Sequence, residues 1–439
     1  MKKPGKISGF PEWLPAEKLL EDEVIATIKR VYTSFGFTPI ETPAVELLST
    51  LVSQGADDKE IFTLRRHGDE SDREAELALH FDLSVPFARY VAQHFSELQF
   101  PFKRYQLQKV WRGERPQKGR SREFYQFDID IVAQDVLPLA CDAEVFTGLE
   151  RAFRAIDAAP YVMWMNSRKV LCGVYQSLGL DEVGQKRAII AVDKLDKIGP
   201  DGVRRELEPL GLNGAAVDRI LEVATLKFPA AEAAARLGGL GVQGELFDQG
   251  AGELIELLGL IPESSRRSIE INLSLARGLA YYTGAIAEVR MRDYMEYGSL
   301  GGGGRYDNLT GDMIDRKLPA VGASVGLTRL MEVILHHKLK PLGRRCPTDL
   351  LVTVYAEEQR AMCNEVADRF RESGLSVEVF YRAPKLGRQI DYADAKGIPC
   401  VAFVQEGGVL EVKDLRTKEQ RRVEDPAAWS REYLAAKSR

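Results

Sequence analysis

The 439-residue sequence is poor in the residues that build metal centres and disulfide frameworks. Its five cysteines, Cys141, Cys172, Cys346, Cys363 and Cys400, form no Cys-x-x-Cys pair and leave an odd total. We therefore expect reduced thiols and a cytoplasmic setting. Five histidines, His67, His80, His94, His336 and His337, fall in no His-Glu-x-x-His or Cys/His pattern, so a protein-built metal site is not expected. No apolar run of about 18 residues occurs, and nothing reads as a membrane span. The basic start, MKKPGKISGFPEWL, lacks the apolar centre of a signal peptide. The P-loop pattern is missing. One Gly-x-Gly-x-x-Gly match, Gly239 to Gly244, follows an Ala-rich, helix-like segment rather than a strand, which argues against a dinucleotide fold there. Charge of one sign is also lacking. Sixty basic against 65 acidic residues leave −5, so any nucleic-acid contact must come from a local patch.

What is present is the composition of an ordinary soluble enzyme, 45% apolar and 28% charged. The length suggests roughly three domains. Leu20, Val24, Ile28, Val31 and Phe35 repeat at helical spacing within Glu17–Phe35, and Gly36 stops the helix. Prolines at 39 and 43 make the next segment extended. Strand patterns occur at Leu77–Asp82, Arg104–Arg112 and Arg122–Val132, and again at Glu270–Leu275 and Leu279–Met291. Between them, residues of about 170–259 are rich in Leu, Ala, Glu and Gly with helical periodicity, which suggests a helical insertion. An apolar stretch from Ala320 to Leu335 follows. His336 and His337 are expected at a helix end. A Pro- and Gly-bearing segment, residues 339–346, reads as a linker between a domain of residues 1–338 and one of 347–439. Strand and helix alternate in the last domain, which predicts a compact α/β unit. From Cys346 onward, 15 basic and 16 acidic residues make it no generic polyanion binder.

The strongest local anomaly is Pro101–Arg122. It carries Lys103, Arg104, Lys109, Arg112, Arg115, Lys118, Arg120 and Arg122 against Glu114 alone. Two strands around a loop with Gly113, Pro116 and Gly119 predict an antiparallel ribbon with a basic tip. In the second strand Tyr125, Phe127, Ile129 and Ile131 alternate with Gln126, Asp128 and Asp130, so one face is apolar and the other carries an amide and two carboxylates. The plainest reading of Asp128 is a carboxylate balancing the neighbouring arginines. Arginine's planar fork suits carboxylate and phosphate oxygens. A second cluster joins LARGLAYYTG, Leu275–Gly284, to SLGGGGRYDN, Ser299–Asn308. Its glycines serve either a tight strand connection or close backbone approach to a ligand.

Together these segments resemble the class II histidyl-tRNA synthetases over about Gly5 to Gln420. WRGERPQKGRSREFYQFDIDI (Trp111–Ile131) resembles the family's motif 2, AVGASVGLTRL (Ala320–Leu330) its motif 3, and the helix ending near Gly36 with Pro43 its motif 1. ARGLAYYTG resembles the histidine-specific signature, and LHFDLSVPFARY (Leu79–Tyr90) the substrate-binding segment before it. IDYADAKGIP and EVKDLRTKEQ resemble the C-terminal anticodon-binding domain. The implied fold is α+β: an antiparallel-sheet catalytic domain with a helical insertion, then an α/β anticodon-binding domain.

The resemblance also implies roles. Arg112 and Gln126 would hold the histidine carboxylate, and Asp82 and Ser84 would accept the α-ammonium. Asp130 and Tyr282 would address the two ring nitrogens, with Tyr306 lining the pocket. Arg112, Arg120 and Arg329 would bind ATP, and Arg277 would act on its α-phosphate as the catalytic arginine. Arg115 and Gln117 would meet the acceptor end of tRNA. ATP with Mg²⁺, L-histidine, a histidine-specific tRNA and a second copy of the chain are the implied partners. The sequence departs from the family pattern at Ala280 and Thr328, each of which removes a carboxylate beside an arginine. The change implies either looser arginine packing or compensation elsewhere. A non-catalytic, synthetase-like regulatory subunit of histidine biosynthesis is the alternative reading. Such paralogues generally lack the C-terminal domain and the arginines.

Overall fold

The computed structural model describes residues 4–52, 60–68, 75–276, 282–308, 310–405 and 409–437. Compactness divides the chain into one unit of Met1–Pro11 and Ile25–Lys340 and a second of Glu12–Val24 and Pro341–Arg439.

In chain order the helix α1 (Pro15–Ser34) leads to strands β1 (Thr38–Pro39) and β2 (Val45–Leu47), helix α2 (Leu48–Val52), and strands β3 (Thr63–Leu64) and β4 (Leu77–Leu79). Helix α3 (Ser84–Gln93) precedes two ten-residue strands, β5 (Phe102–Trp111) and β6 (Glu123–Val132). Helix α4 (Leu139–Ile156) and strand β7 (Tyr161–Ser167) follow. The inserted region runs through α5 (Arg168–Ser177), α6 (Glu182–Val192), α7 (Leu195–Leu207), α8 (Gly214–Ala224), β8 (Lys227–Pro229), α9 (Ala233–Gly238) and α10 (Glu245–Leu260). After α11 (Glu263–Arg266), strands β9 (Ile269–Asn272), β10 (Ala285–Met291), β11 (Gly301–Tyr306) and β12 (Ala320–Gly326) lead to helix α12 (Leu327–His336). His337 caps α12, and its ring lies 4.2 Å from that of Tyr294.

Nine strands form one sheet in the order β1-β5-β6-β12-β11-β10-β7-β9-β8. All its pairings are antiparallel except β1 with β5 and β7 with β9. The helical insertion is therefore not wholly helical, since β8 pairs with β9 at the sheet edge. Alternation explains the central strands. Phe127, Ile129 and Ile131 of β6 turn into the apolar core, and the ring of Tyr32 from α1 meets that of Phe127 edge-on at 5.2 Å. A helix with Ile28 and Tyr32 fully buried thus covers one face of the sheet. The middle of the opposite face of β6 carries the polar side chains Gln126, Asp128 and Asp130.

The second unit holds a five-stranded sheet ordered β14-β13-β15-β16-β17, from β13 (Leu350–Val352), β14 (Val377–Val379), β15 (Cys400–Val404), β16 (Leu410–Asp414) and β17 (Gln420–Arg422). The first three strands are parallel, as expected where helices connect them. These helices are α13 (Arg360–Glu372) and α14 (Leu386–Lys396). Beyond the strand–helix alternation of the sequence, the unit adds β17 and a closing helix, α15 (Pro426–Lys437). Three consecutive exposed residues in β17 give no alternation, while α15 buries one main anchor, Trp429, stacked at 5.3 Å on Tyr433. No helix among the described residues is long and apolar enough to cross a membrane.

One buried carboxylate ties the ends of the second unit together. Asp349 accepts from Arg344 at 2.6 Å, Lys437 at 2.8 Å and the Ser376 amide at 3.2 Å. Burial alone would raise its pKa, but these donors outweigh it and hold the carboxyl below the usual range. A depressed pKa contributes stability that is present above the unfolded-state value and lost as pH falls through the folded one. Asp349→Asn should therefore destabilise this unit by about 1–3 kcal/mol at neutral pH. The deficit should vanish in acid, below the ordinary aspartate range. Denaturant titrations of both proteins at neutral and acid pH check this, and a pH-independent difference would contradict it.

Candidate active site

The polar face of β6 begins the site. Gln126, Asp128 and Asp130 lie opposite Gln108, Gln106 and Arg104 of β5 on one side. On the other side they face Gly326, Ser324 and Gly322 of β12. Asp128, Asp130, Gln106 and Arg104 are all buried. Buried charge must be paired to be tolerated. Arg104 supplies the pairing, 2.7 Å from Asp130 and 4.0 Å from Asp128. Its guanidinium also donates to Gln106 at 3.1 Å and lies over the Phe87 ring at 4.3 Å. Arg104 belongs to the basic run of the sequence, but it stands near the start of β5, away from the loop, with no exposed surface.

Tyr306, from β11, donates its hydroxyl to Asp130. Tyr282 is buried nearby, against β11. Two glycines make this packing possible. A Cβ at Gly322 would stand 1.8 Å from an Asp130 carboxylate oxygen, and one at Gly304 would stand 2.6 Å from the Tyr282 ring. The glycine string thus allows close approach of side chains to the sheet. Asp82 lies in the turn before α3, buried, with Oδ1 accepting the Val85 amide at 3.1 Å, and Ser84 is the first residue of the helix. Arg112 donates from Nε to the Phe81 carbonyl at 3.1 Å, beside Asp82.

The electrostatics follow from burial. Desolvation pushes Asp130 up to about 7, with the negative charge of Asp128 adding to it and Arg104 opposing both. Desolvation likewise lifts Asp128 to about 6 and raises Asp82. Asp128 does balance an arginine, as its sequence context suggested, but from inside the site.

Beside this face opens a cavity of about 260 Å³, lined by Arg112, Arg120 and Arg329 together with Gln126, Ser324 and Ser299. Arg329 sits in the first turn of α12 and is fixed by the carbonyls of Gly119 and Ser299. Burial, then the neighbouring charges of Arg120 and Arg112, lower its pKa to about 10. Three convergent guanidiniums without a matching number of carboxylates fit an anionic ligand. Thr328 turns out not to loosen this arrangement. Its hydroxyl accepts the Tyr125 amide at 2.8 Å, while Glu332, one turn on, supplies the carboxylate facing Arg329. Glu332 was missed, and a helical i to i+3 count from Arg329 would have found it.

The loop between β5 and β6 is a tight turn, in which Gln117 and Arg120 exchange backbone hydrogen bonds at 3.0 and 2.8 Å. Gly119 takes the left-handed conformation there, with φ +69°. Arg115 and Gln117 are exposed on it. Lys118 contacts Glu296 at 3.1 Å and the Tyr297 ring at 4.3 Å, while Arg120 contacts Glu114 at 3.0 Å. Lys109 and Lys103 are likewise paired, with Glu123 and Glu144. The basic run is thus dispersed over several partners rather than presented as one surface. Arg277 and Ala280 lie outside the described residues.

A largely antiparallel sheet thus floors a buried amide-and-carboxylate cluster beside an arginine-lined cavity, and comparison with known proteins identifies the family. A family model described as histidyl-tRNA synthetase matches residues 9–330, and one described as anticodon binding domain matches 341–430. The chain belongs to the histidyl-tRNA synthetase family. It is 44% identical over 433 residues to a histidine–tRNA ligase of Thermobifida fusca, covering 98% of each chain. It is 39% identical over 447 residues to that of Micrococcus luteus, covering 98% of this chain and 97% of the other. The crystal structure of histidyl-tRNA synthetase from Nostoc sp. PCC 7120 matches with a TM-score of 0.88 at 34% identity, over 99% of this chain and 100% of that one.

The close approach at Gly322 is directly testable. Gly322→Ala should cost about 1–3 kcal/mol of stability through overpacking. Much of that cost should disappear in the Gly322→Ala/Asp130→Ala double variant, because the clashing carboxylate is gone. Denaturant unfolding of the double-mutant cycle checks this, and strict additivity would contradict the contact.

Proposed function

We propose that the buried polar face and the arginine-lined cavity are the histidine and ATP subsites of a histidine–tRNA ligase. One observation carries this reading: Gln126 lines the cavity, while Asp128 and Asp130, two and four residues along the same strand face, are buried beside it. A substrate lying along β6 would therefore meet a side-chain-reading pocket at one end and a polyanion site at the other.

In this reading, Arg112 and Gln126 hold the histidine carboxylate between the two subsites. Asp82 and Ser84 take the α-ammonium at the start of α3. Asp130 and Tyr282 address the ring nitrogens, with Tyr306 orienting Asp130. A pocket that satisfies both nitrogens rejects isosteres that would leave its polar groups unpaired. Arg120 and Arg329 bind the ATP phosphates. The histidine carboxylate attacks the α-phosphorus, the bond to pyrophosphate breaks, and histidyl-adenylate remains. Arg277 is assigned to the α-phosphate, where a fixed guanidinium stabilises charge developing in the transition state. The histidyl group then passes to the 3′ end of tRNA. Magnesium would come with ATP, since it prefers phosphate oxygens and water. Glu114 and Glu332, which line the cavity, are oxygen donors of the type it accepts, and the bound ion would neutralise phosphate charge.

We assign residues 1–338 to the catalytic domain, 339–346 to a linker and 347–439 to anticodon binding. Helix α1 is assigned to a homodimer interface, through its likeness to motif 1. The enzyme is placed in the cytoplasm. Full-length similarity to histidine–tRNA ligases, anticodon-binding domain included, supports a ligase over the regulatory-subunit alternative.

Histidine-dependent ATP–pyrophosphate exchange tests the reading, because a non-catalytic regulatory subunit should show none. Arg277→Ala should lower exchange by about a hundredfold or more with little change in histidine KM. An unchanged rate in the folded variant would remove Arg277 from the mechanism.

The loop makes a separate prediction. Arg115→Ala should weaken tRNA binding and reduce the slope of its salt dependence by about one. Exchange without tRNA should persist. Loss of exchange with tRNA affinity intact would contradict placing Arg115 at the acceptor end.

A further inference from the structure

The acidic floor of the pocket carries more charge than contact with one imidazole requires. Asp128 and Asp130 share a single guanidinium, at 4.0 and 2.7 Å. One carboxylate oxygen of Asp128 is buried without a hydrogen-bond partner among the described residues. Arg104 also reaches the Leu83 carbonyl at 3.4 Å. Leu83 lies between Asp82 and Ser84, so Arg104 touches both the ring end and the ammonium end of the proposed histidine subsite.

We propose that Arg104 and Asp128 are positioning residues that fix the charge carried by Asp130 and thereby decide which protonation form of the histidine ring the pocket accepts. This inference rests on the reading of Asp130 as a ring-nitrogen partner. A carboxylate can only accept from a ring N–H, whereas a carboxylic acid can donate to a bare ring nitrogen. Among the described residues, Arg104 from β5, Asp128 from β6, Tyr306 from β11 and Asp82 from the turn before α3 act on Asp130. Arg104 and the Tyr306 hydroxyl favour the ionised carboxylate, while burial and the two other carboxylates oppose it. The opposed influences leave Asp130 titrating near neutrality, where either form is accessible.

Because the two neighbours act with opposite sign, their removal should have opposite effects. Asp128→Asn deletes a like charge, so Asp130 ionises at lower pH. Arg104→Gln deletes the counter-charge, so Asp130 ionises at higher pH. The test is the pH dependence of kcat/KM for histidine in ATP–pyrophosphate exchange by the full-length chain. The acid limb should move down in Asp128→Asn and up in Arg104→Gln, each by about one unit. Titration of histidine's own ring is common to all the enzymes and cannot produce these shifts. Asp128→Asn is nearly isosteric and carries the test alone if Arg104→Gln does not fold. An acid limb that stays in place in Asp128→Asn overturns the proposal, whatever the loss of rate. Asp130→Asn separates the two readings. Wild-type histidine KM and an unmoved limb in that variant would remove Asp130 from ring recognition. A large histidine-specific loss there, with no shift in Asp128→Asn, would remove only the positioning network.

Discussion

Three buried carboxylates, Asp82, Asp128 and Asp130, face two guanidiniums, Arg104 and Arg112, beside the central strands of the catalytic sheet. Keeping that cluster dry and paired constrains what surrounds it. The register of β5 on β6 must bring Arg104 opposite Asp130, because a one-residue slip would send the guanidinium to the apolar face. Position 322 of β12 must lack a side chain, since the Asp130 carboxylate occupies that space. The covering helix α1 packs Tyr32 edge-on against Phe127 on the other side of β6, where the apolar residues of the strand's alternation lie. An ion pair of this kind contributes little net stability. What it supplies is a preorganised set of charges at fixed positions, as the proposed site for a zwitterionic amino acid would require.

The neighbouring cavity inverts the sign. Arg112, Arg120 and Arg329 converge there, and burial followed by repulsion from the other two lowers the pKa of Arg329. An anion bound there would relieve that repulsion, so in the proposed reading part of the affinity for ATP phosphates would be built in before the ligand arrives. Arg112 belongs to both regions, lining the cavity and acting on Asp82. The strand β6 therefore joins a negative pocket to a positive one across Gln126. In the proposed reading an amino acid's carboxylate at that junction would lie next to phosphate, which is the proximity that adenylation needs.

Much of this was legible in the sequence, where local rules and a specific resemblance agreed. The ribbon Phe102–Val132 announced itself by its alternation and its glycine-bearing loop. The last unit was readable from its strand–helix alternation, and α12 from its apolar run. The failures have physical causes. Arg104 looked like one more member of a basic run, because sequence spacing does not say which charges a strand buries. Glu332 escaped because the compensation for Thr328 comes from the next helical turn rather than the motif itself. Strand β8 was hidden inside a helical composition, since three residues carry no periodicity and pair only through tertiary context. Helix α15 lacked a regular apolar stripe.

The central claim is that the buried carboxylates form an electrostatically coupled cluster, with Asp130 poised near neutrality by burial, Arg104 and Asp128. Carbon-13 NMR of carboxyl-labelled aspartate in the full-length protein, assigned with the Asp130→Asn variant, reads this without any catalytic assay. The account predicts that the Asp130 resonance titrates well above the ordinary aspartate range, close to 7. It also predicts that the Asp128 resonance, titrating near 6, changes its midpoint when Asp130 is replaced. Two independent carboxyls titrating near 4, as exposed aspartates do, would contradict it.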